Sequence, residues 1–231
     1  MRVLKRMRAC WAQVVVIMTC VMPHVAAAQS SDSLRIPVRP RVDTLVISQA
    51  GTVVGGRVTT WTRLGLDQLF VHAERNTRDG AWTVDSTFSD PRTLRPSRSV
   101  RYSGDSVVAV LFGHDTIFVT TIIAGRSSTA WAVAPAAELF ASTSLDALAA
   151  SMPLSAGATR RVLVFFAPPS SYNIQGVQLR VEAREELRGR SVWRVIATTP
   201  GGGSIYWLDD KTRTTLRSSS RDGDRVIALR P

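Results

Sequence analysis

Val177-Gln178-Leu179-Arg180-Val181-Glu182-Ala183-Arg184 alternates apolar and polar residues without a break. A side-chain period of two puts Val177, Leu179, Val181 and Ala183 on one face and the charged residues on the other, which predicts a half-buried strand. The same signature extends in both directions. Strands are predicted over 42–49, 56–64, 67–76, 81–88, 98–103, 106–112, 115–123, 128–133, 159–167, 175–187, 191–198, 203–208, 213–218 and 224–229, and turn signals recur at roughly 8- to 12-residue spacing.

The turns set the direction of pairing. Asp79-Gly80 lies between Phe70-Val71-His72 and Trp82-Thr83-Val84, and an Asp-Gly pair supplies the positive φ angles a tight hairpin requires. Gly104-Asp105, Gly113-His114-Asp115 and Asp222-Gly223-Asp224 punctuate later strands in the same way. Loops this short force antiparallel neighbours, because a parallel crossover needs a dozen or more residues. Val107 to Phe112 and Ile117 to Ile123 are more continuously apolar, which predicts central strands covered on both faces.

One segment departs from the period of two. Thr143-Ser144-Leu145-Asp146 fits a capping box. Leu145, Leu148, Ala149 and Met152 then share a helical face until Pro153 stops the helix. Pro135 also precedes a predicted helical turn over Ala136 to Ala141, which carries Leu139 and Phe140. The expected fold is mainly β (α+β): a strongly curved antiparallel sheet, a half-barrel, with the 136–152 helical insert on its concave face.

Ahead of the strands, Arg2, Lys5, Arg6 and Arg8 precede an apolar run from Ala9 to Val25 and the small cluster Ala26-Ala27-Ala28. A basic start, an apolar core and an A-x-A-like site are the layout of a secretory signal. Cleavage near Ala28 and a periplasmic or secreted location are therefore expected. Pro23 and His24 break the run short of the ~20 apolar residues that a membrane span needs. Lipidation at Cys20 is the weaker alternative, since Thr19 replaces the small residue such a signal wants. The expected organisation is a signal at 1–28, a flexible Pro-containing leader at 29–41 and a single sheet domain at 42–231.

Removing the signal takes 29 Lys and Arg residues to 25 against 18 Asp and Glu, so the formal charge falls from +11 to +7. The remaining arginines are scattered and no recognition module accompanies them, so specific nucleic-acid binding is not expected. The summed field suits an anionic envelope surface instead. Both cysteines, Cys10 and Cys20, fall in the signal, which leaves the mature chain without disulfide or thiol chemistry.

The last third carries a pattern. Trp193-Arg194-Val195 is followed by Gly201 to Gly203, then Ile205-Tyr206-Trp207-Leu208-Asp209 and Thr212-Arg213-Thr214-Thr215-Leu216-Arg217. With the segment Met152 to Gly157 (MPLSAG) after a short helix, this resembles a family of exported bacterial domains of unknown function. The resemblance implies the curled antiparallel sheet of periplasmic lipoprotein carriers and a possible ligand cavity. It implies no activity.

Catalytic signatures are sparse. The mature chain holds two histidines, His72 and His114, and lacks H-E-x-x-H. Gly125-Arg126-Ser127-Ser128-Thr129 lacks the second Gly of a nucleophile elbow. Gly201-Gly202-Gly203-Ser204 precedes a strand, not the helix N-terminus that phosphate cradles use. His114-Asp115 reads as turn chemistry, and His72 as an ordinary sheet residue. Glu182, Glu185 and Glu186 among arginines read as a charge-paired strand face, and Asp209-Asp210 as a weak cation site.

No cofactor or metal is expected, and the balance leans away from an enzyme. The expected role is binding an apolar ligand such as an acyl chain or a lipoprotein. Phe112, Phe118, Leu145, Leu148, Met152, Phe165, Trp193 and Trp207 are the candidate cavity residues. Two other classes stay open. One is an adaptor that contacts envelope partners through a sheet edge or basic surface, and the other a hydrolase with His72 or His114 near a Ser and a carboxylate.

Overall fold

Fifteen strands form one open, curved sheet in the computed structural model. It describes residues 40–77, 79–135, 138–167, 172–221 and 223–229. In chain order the strands are β1 (Arg41–Gln49), β2 (Thr52–Leu64), β3 (Asp67–Asn76), β4 (Trp82–Ser89), β5 (Pro96–Ser103), β6 (Ser106–Phe112), β7 (Thr116–Ile123) and β8 (Arg126–Val133). They continue as β9 (Leu139–Ala141), β10 (Thr159–Phe166), β11 (Asn173–Leu187), β12 (Arg190–Thr199), β13 (Gly202–Asp209), β14 (Thr215–Ser220) and β15 (Arg225–Leu229). A 3-10 turn, Ser142–Ser144, leads into the helix α1 (Leu145–Ser151). The expected signal lies outside the described residues, as does the expected leader apart from Pro40 and Arg41.

The spatial order is β8-β7-β6-β5-β4-β3-β2-β1-β15-β14-β13-β12-β11-β10-β9. Two antiparallel meanders therefore meet where β1 pairs with β15, through Leu45 opposite Leu229 and Ile47 opposite Ile227. Strands β1–β8 make one arm and β9–β15 the other. Only β9 runs parallel to its neighbour, with Phe140 opposite Val164. The helical turn expected over 136–141 is corrected here: Ala136 and Ala137 lie outside the described residues, and Leu139–Ala141 is strand, because β10 offers a free edge to pair with.

Three hairpins turn on a pair of positive-φ residues whose first member is not Asn or Asp: Ala50-Gly51, Ala124-Gly125 and Arg188-Gly189. Two consecutive positive φ angles twist a two-residue loop in the sense of its strands. At the expected Asp79-Gly80 hairpin the strands stop earlier, at Asn76 and Trp82, and Gly80 (φ +70) closes a longer loop by donating to the Asn76 carbonyl.

The main core joins both arms. Trp61 and Phe70 from β2 and β3, Leu94 from the β4–β5 loop and Phe140 from β9 pack with α1 and with β10–β13. Trp61 and Phe70 meet edge to face, with centroids 4.5 Å apart. The capping box does not form. Ser144 makes no side-chain cap, and the Thr143 hydroxyl instead bonds Thr87 on β4. The helix is also not a one-sided lid, since Ala147 to Ser151 are all buried. A helix buried on every side belongs to a core. Arg213 stops it from the β13–β14 turn by donating to the carbonyls of Ala150 and Met152.

β6 and β7 correct another expectation. They stand third and second from the open edge at β8, with one face covered and the other bare. Val108, Val110, Ile117 and Val119 are buried against Phe165, whereas Leu111 and Phe118 face solvent. The opening pattern also changes phase: Val181 opposes Val195 but Arg184 opposes Trp193, so Glu182 and Ala183 bulge against Arg194 and Ala183 ends exposed.

Candidate functional site

Strand alternation and register together define the outer face of the β1–β8 arm, opposite Leu45, Trp61 and Phe70. One row runs Thr44, Val58, Ala73, Val84, Tyr102, Val107, Ile122 and Ser127 through successive cross-strand partners. The next runs Val42, Thr60, Val71, Ser86, Val100, Ala109, Thr120 and Thr129. A third joins Thr62, Leu69, Phe88, Arg98, Leu111, Phe118 and Trp131. The only charge in these three rows is Arg98, whose guanidinium lies 3.8 Å above the Phe88 ring.

The inner face of the same arm carries the buried core residues and, among them at β3 and β4, a group of polar side chains. On β4 the inward residues are Thr83, Asp85, Thr87 and Ser89, while Trp82, Val84 and Phe88 point outward. Arg57 and Arg225 both close on the Glu74 carboxylate, at 2.7 Å for Arg57 Nε. Burial alone would raise the Glu74 pKa, yet the two guanidinium groups hold it below the ordinary value. His72 Nε2 lies 3.5 Å from Asp146 Oδ2, and Asp85 faces Arg101 at 3.7 Å. Burial lowers the His72 pKa and raises that of Asp85. Burial likewise pushes the Tyr206 phenol up. This cluster joins α1 to the sheet. His72 is 7 % exposed, and its Nε2 makes no hydrogen bond.

The β9–β15 arm has the opposite character on its outer face. Arg194 reaches Glu182 at 2.9 Å and Glu185 at 3.8 Å, Trp207 Nε1 donates to Glu185, and Arg217 stacks over Trp207 at 4.7 Å. The charge-paired face expected around Glu182 is therefore present. Asp209 and Asp210 serve structure: Asp209 Oδ1 accepts from the Lys211 and Thr212 amides, and Asp210 accepts from Trp193 Nε1 and Arg184. His114 sits exposed in the β6–β7 turn.

Every large hydrophobic side chain exposed among the described residues lies between Val42 and Val133. Trp131 is 65 % exposed, Leu111 55 % and Phe118 46 %. Near the other end of the strands, Gly56, Val58, Ala73, Arg75 and Trp82 line a groove of about 380 Å³. Arg75 lies 5.8 Å from the Trp82 ring.

The eight candidate cavity residues do not converge on one place. Leu148 and Met152 are buried in the main core, with Leu145 and Trp193 at its margin. Phe165 is buried in the second cluster, and Phe112 meets it edge to face at 5.6 Å. Phe118 and Trp207 lie on the outer faces of opposite arms. Sequence reasoning missed Trp82 and Trp131 as surface residues. For Trp131 the available signal was parity, since it shares its side of the strand with the uncharged cross-strand neighbour Phe118, whereas Trp82 pairs with Arg75.

Such an arrangement defines an open-sheet protein whose outer face is nearly uncharged on the β1–β8 arm and ion-paired on the β9–β15 arm. Residues 45–230 match the family described as "Protein of unknown function (DUF3108)", and the chain belongs to that family. Comparison with the curated proteins and with the solved structures gave no match.

Proposed function

We propose that this is a non-enzymatic protein of the cell envelope that receives an apolar partner, an acyl chain of a lipid or lipoprotein, on the outer face of its β1–β8 arm. One observation carries the reading: among the described residues the exposed large hydrophobics are confined to that arm, while the same sheet face of the other arm carries ion pairs. A solvated antiparallel face ordinarily alternates to polar residues, and a contiguous apolar patch rimmed by polar surface marks an interaction site. The basic, apolar and small-residue pattern of residues 2–28 supports export. The summed positive charge favours an anionic envelope surface.

Native mass spectrometry of residues 29–231 purified from an envelope-expressing host, followed by organic extraction, tests this. Co-purifying acyl lipid that disappears in a still-folded Phe118→Asp variant supports the reading. A lipid-free wild type would overturn it in favour of an adaptor that uses the same face, or the open β8 edge, for a protein partner.

A further inference from the structure

The groove at the β2–β4 end of the outer face has the composition of a small-molecule subsite. Gly56 and Val58 on β2, with Ala73 opposite Val58 on β3, supply the small side chains of its floor. Trp82, 49 % exposed, forms a wall. About 380 Å³ falls within the ~300–1,000 Å³ typical of ligand sites. Arg57 is taken up by Glu74, but Arg75 forms no ion pair among the described residues and lies beside the indole.

We infer that this groove binds a single-chain fatty carboxylate, its tail over Gly56, Val58 and Ala73 and its head on the Arg75 guanidinium. The inference rests on the reading that the outer face takes acyl chains, and it assigns the head group. A guanidinium is matched to a planar carboxylate by paired N–H donors. The apolar floor beside the Arg75 guanidinium suits an anionic head on an apolar tail.

Gly56 offers a clean block. Its backbone is not in the left-handed region, and an added Cβ would meet only the Leu45 carbonyl oxygen at an ordinary 3.6 Å. The Cβ of Gly56→Val therefore fits, its methyls add bulk to the floor, and valine suits a strand better than glycine.

Calorimetric titration of residues 29–231 with decanoate and with decanol is the test. Wild type is expected to bind decanoate about tenfold more tightly than decanol, the margin of a charge-assisted hydrogen bond. Arg75→Gln should level the two, and Gly56→Val should abolish both while leaving the thermal transition intact. Equal binding of both probes by wild type, or unchanged binding in Gly56→Val, overturns the inference. Lipid that co-purifies and is lost in Phe118→Asp but retained in Gly56→Val removes the groove alone. Absence of both lipid and decanoate removes the wider reading as well.

Discussion

His72 Nε2 on β3 lies 3.5 Å from Asp146 Oδ2 on α1, so a buried pair ties the helix to the arm that precedes it in the chain. Burial holds the His72 pKa below its ordinary 6.5, and this outweighs the attraction of Asp146, Asp85 and Glu74. Between the folded pKa and 6.5 the unfolded chain binds the extra proton, so stability is full above 6.5 and declines as pH falls through that window. Glu74, held low, loses its contribution only below 4.5, and Asp85, raised from 3.8 by burial, acts with the opposite sign. Urea midpoints measured on either side of pH 6.5 should fall toward acid in wild type and be flat in His72→Gln. An equal slope in both proteins would remove His72 as its source.

Leu148 is fully buried between β-strands of both arms. Leu148→Ala is expected to cost roughly 2–5 kcal/mol, the range for a leucine deleted from a core that relaxes only in part. Chemical denaturation gives the value. A loss below about 1 kcal/mol would mean that the space around α1 collapses freely.

Arg213 donates to the carbonyls of Ala150 and Met152, which a helix end leaves without intrahelical partners. Removing it with Arg213→Ala should destabilise by about 1.5–3 kcal/mol, as for hydrogen bonds from charged donors. Hydrogen exchange adds a local readout, since the Ala147 to Ser151 amides should lose protection more than those of β1–β3. Uniform loss would indicate that α1 does not depend on this cap.

Gln68 is fully buried, and neither of its amide atoms has a partner. An unsatisfied buried polar group costs about 1–3 kcal/mol, so Gln68→Met, of similar shape, is expected to raise the melting temperature. A lower melting temperature would show that ordered water bridges the amide in wild type.

The strands were legible because their period of two is local. The Val177–Arg184 pattern and the hydrophobic cores of β10, β12 and β13 read directly from the sequence. Non-local features were not. The bulge at Glu182 and Ala183 depends on Arg194 across the ladder. β9 is three residues long and exists through the edge of β10. The double cover expected for β6 and β7 failed because hydrophobicity reports burial, partner binding and edge position alike. Val107, Leu111 and Phe118 are apolar on a face that the chain itself leaves open. His72 was readable as a sheet residue, but its partner lies in a helix 74 positions away by the numbering, where no periodicity reaches.

Pairing of Leu45 with Leu229 puts the join between the two arms at the centre of the sheet. Each arm can zip up hairpin by hairpin from local contacts, but the join forms only once β15 has emerged. Until then both sides of the seam are bare ladders, open to pairing with another chain. The β1–β15 pairing, like the core contacts between the arms, is a long-range closure and should be among the slowest steps of folding.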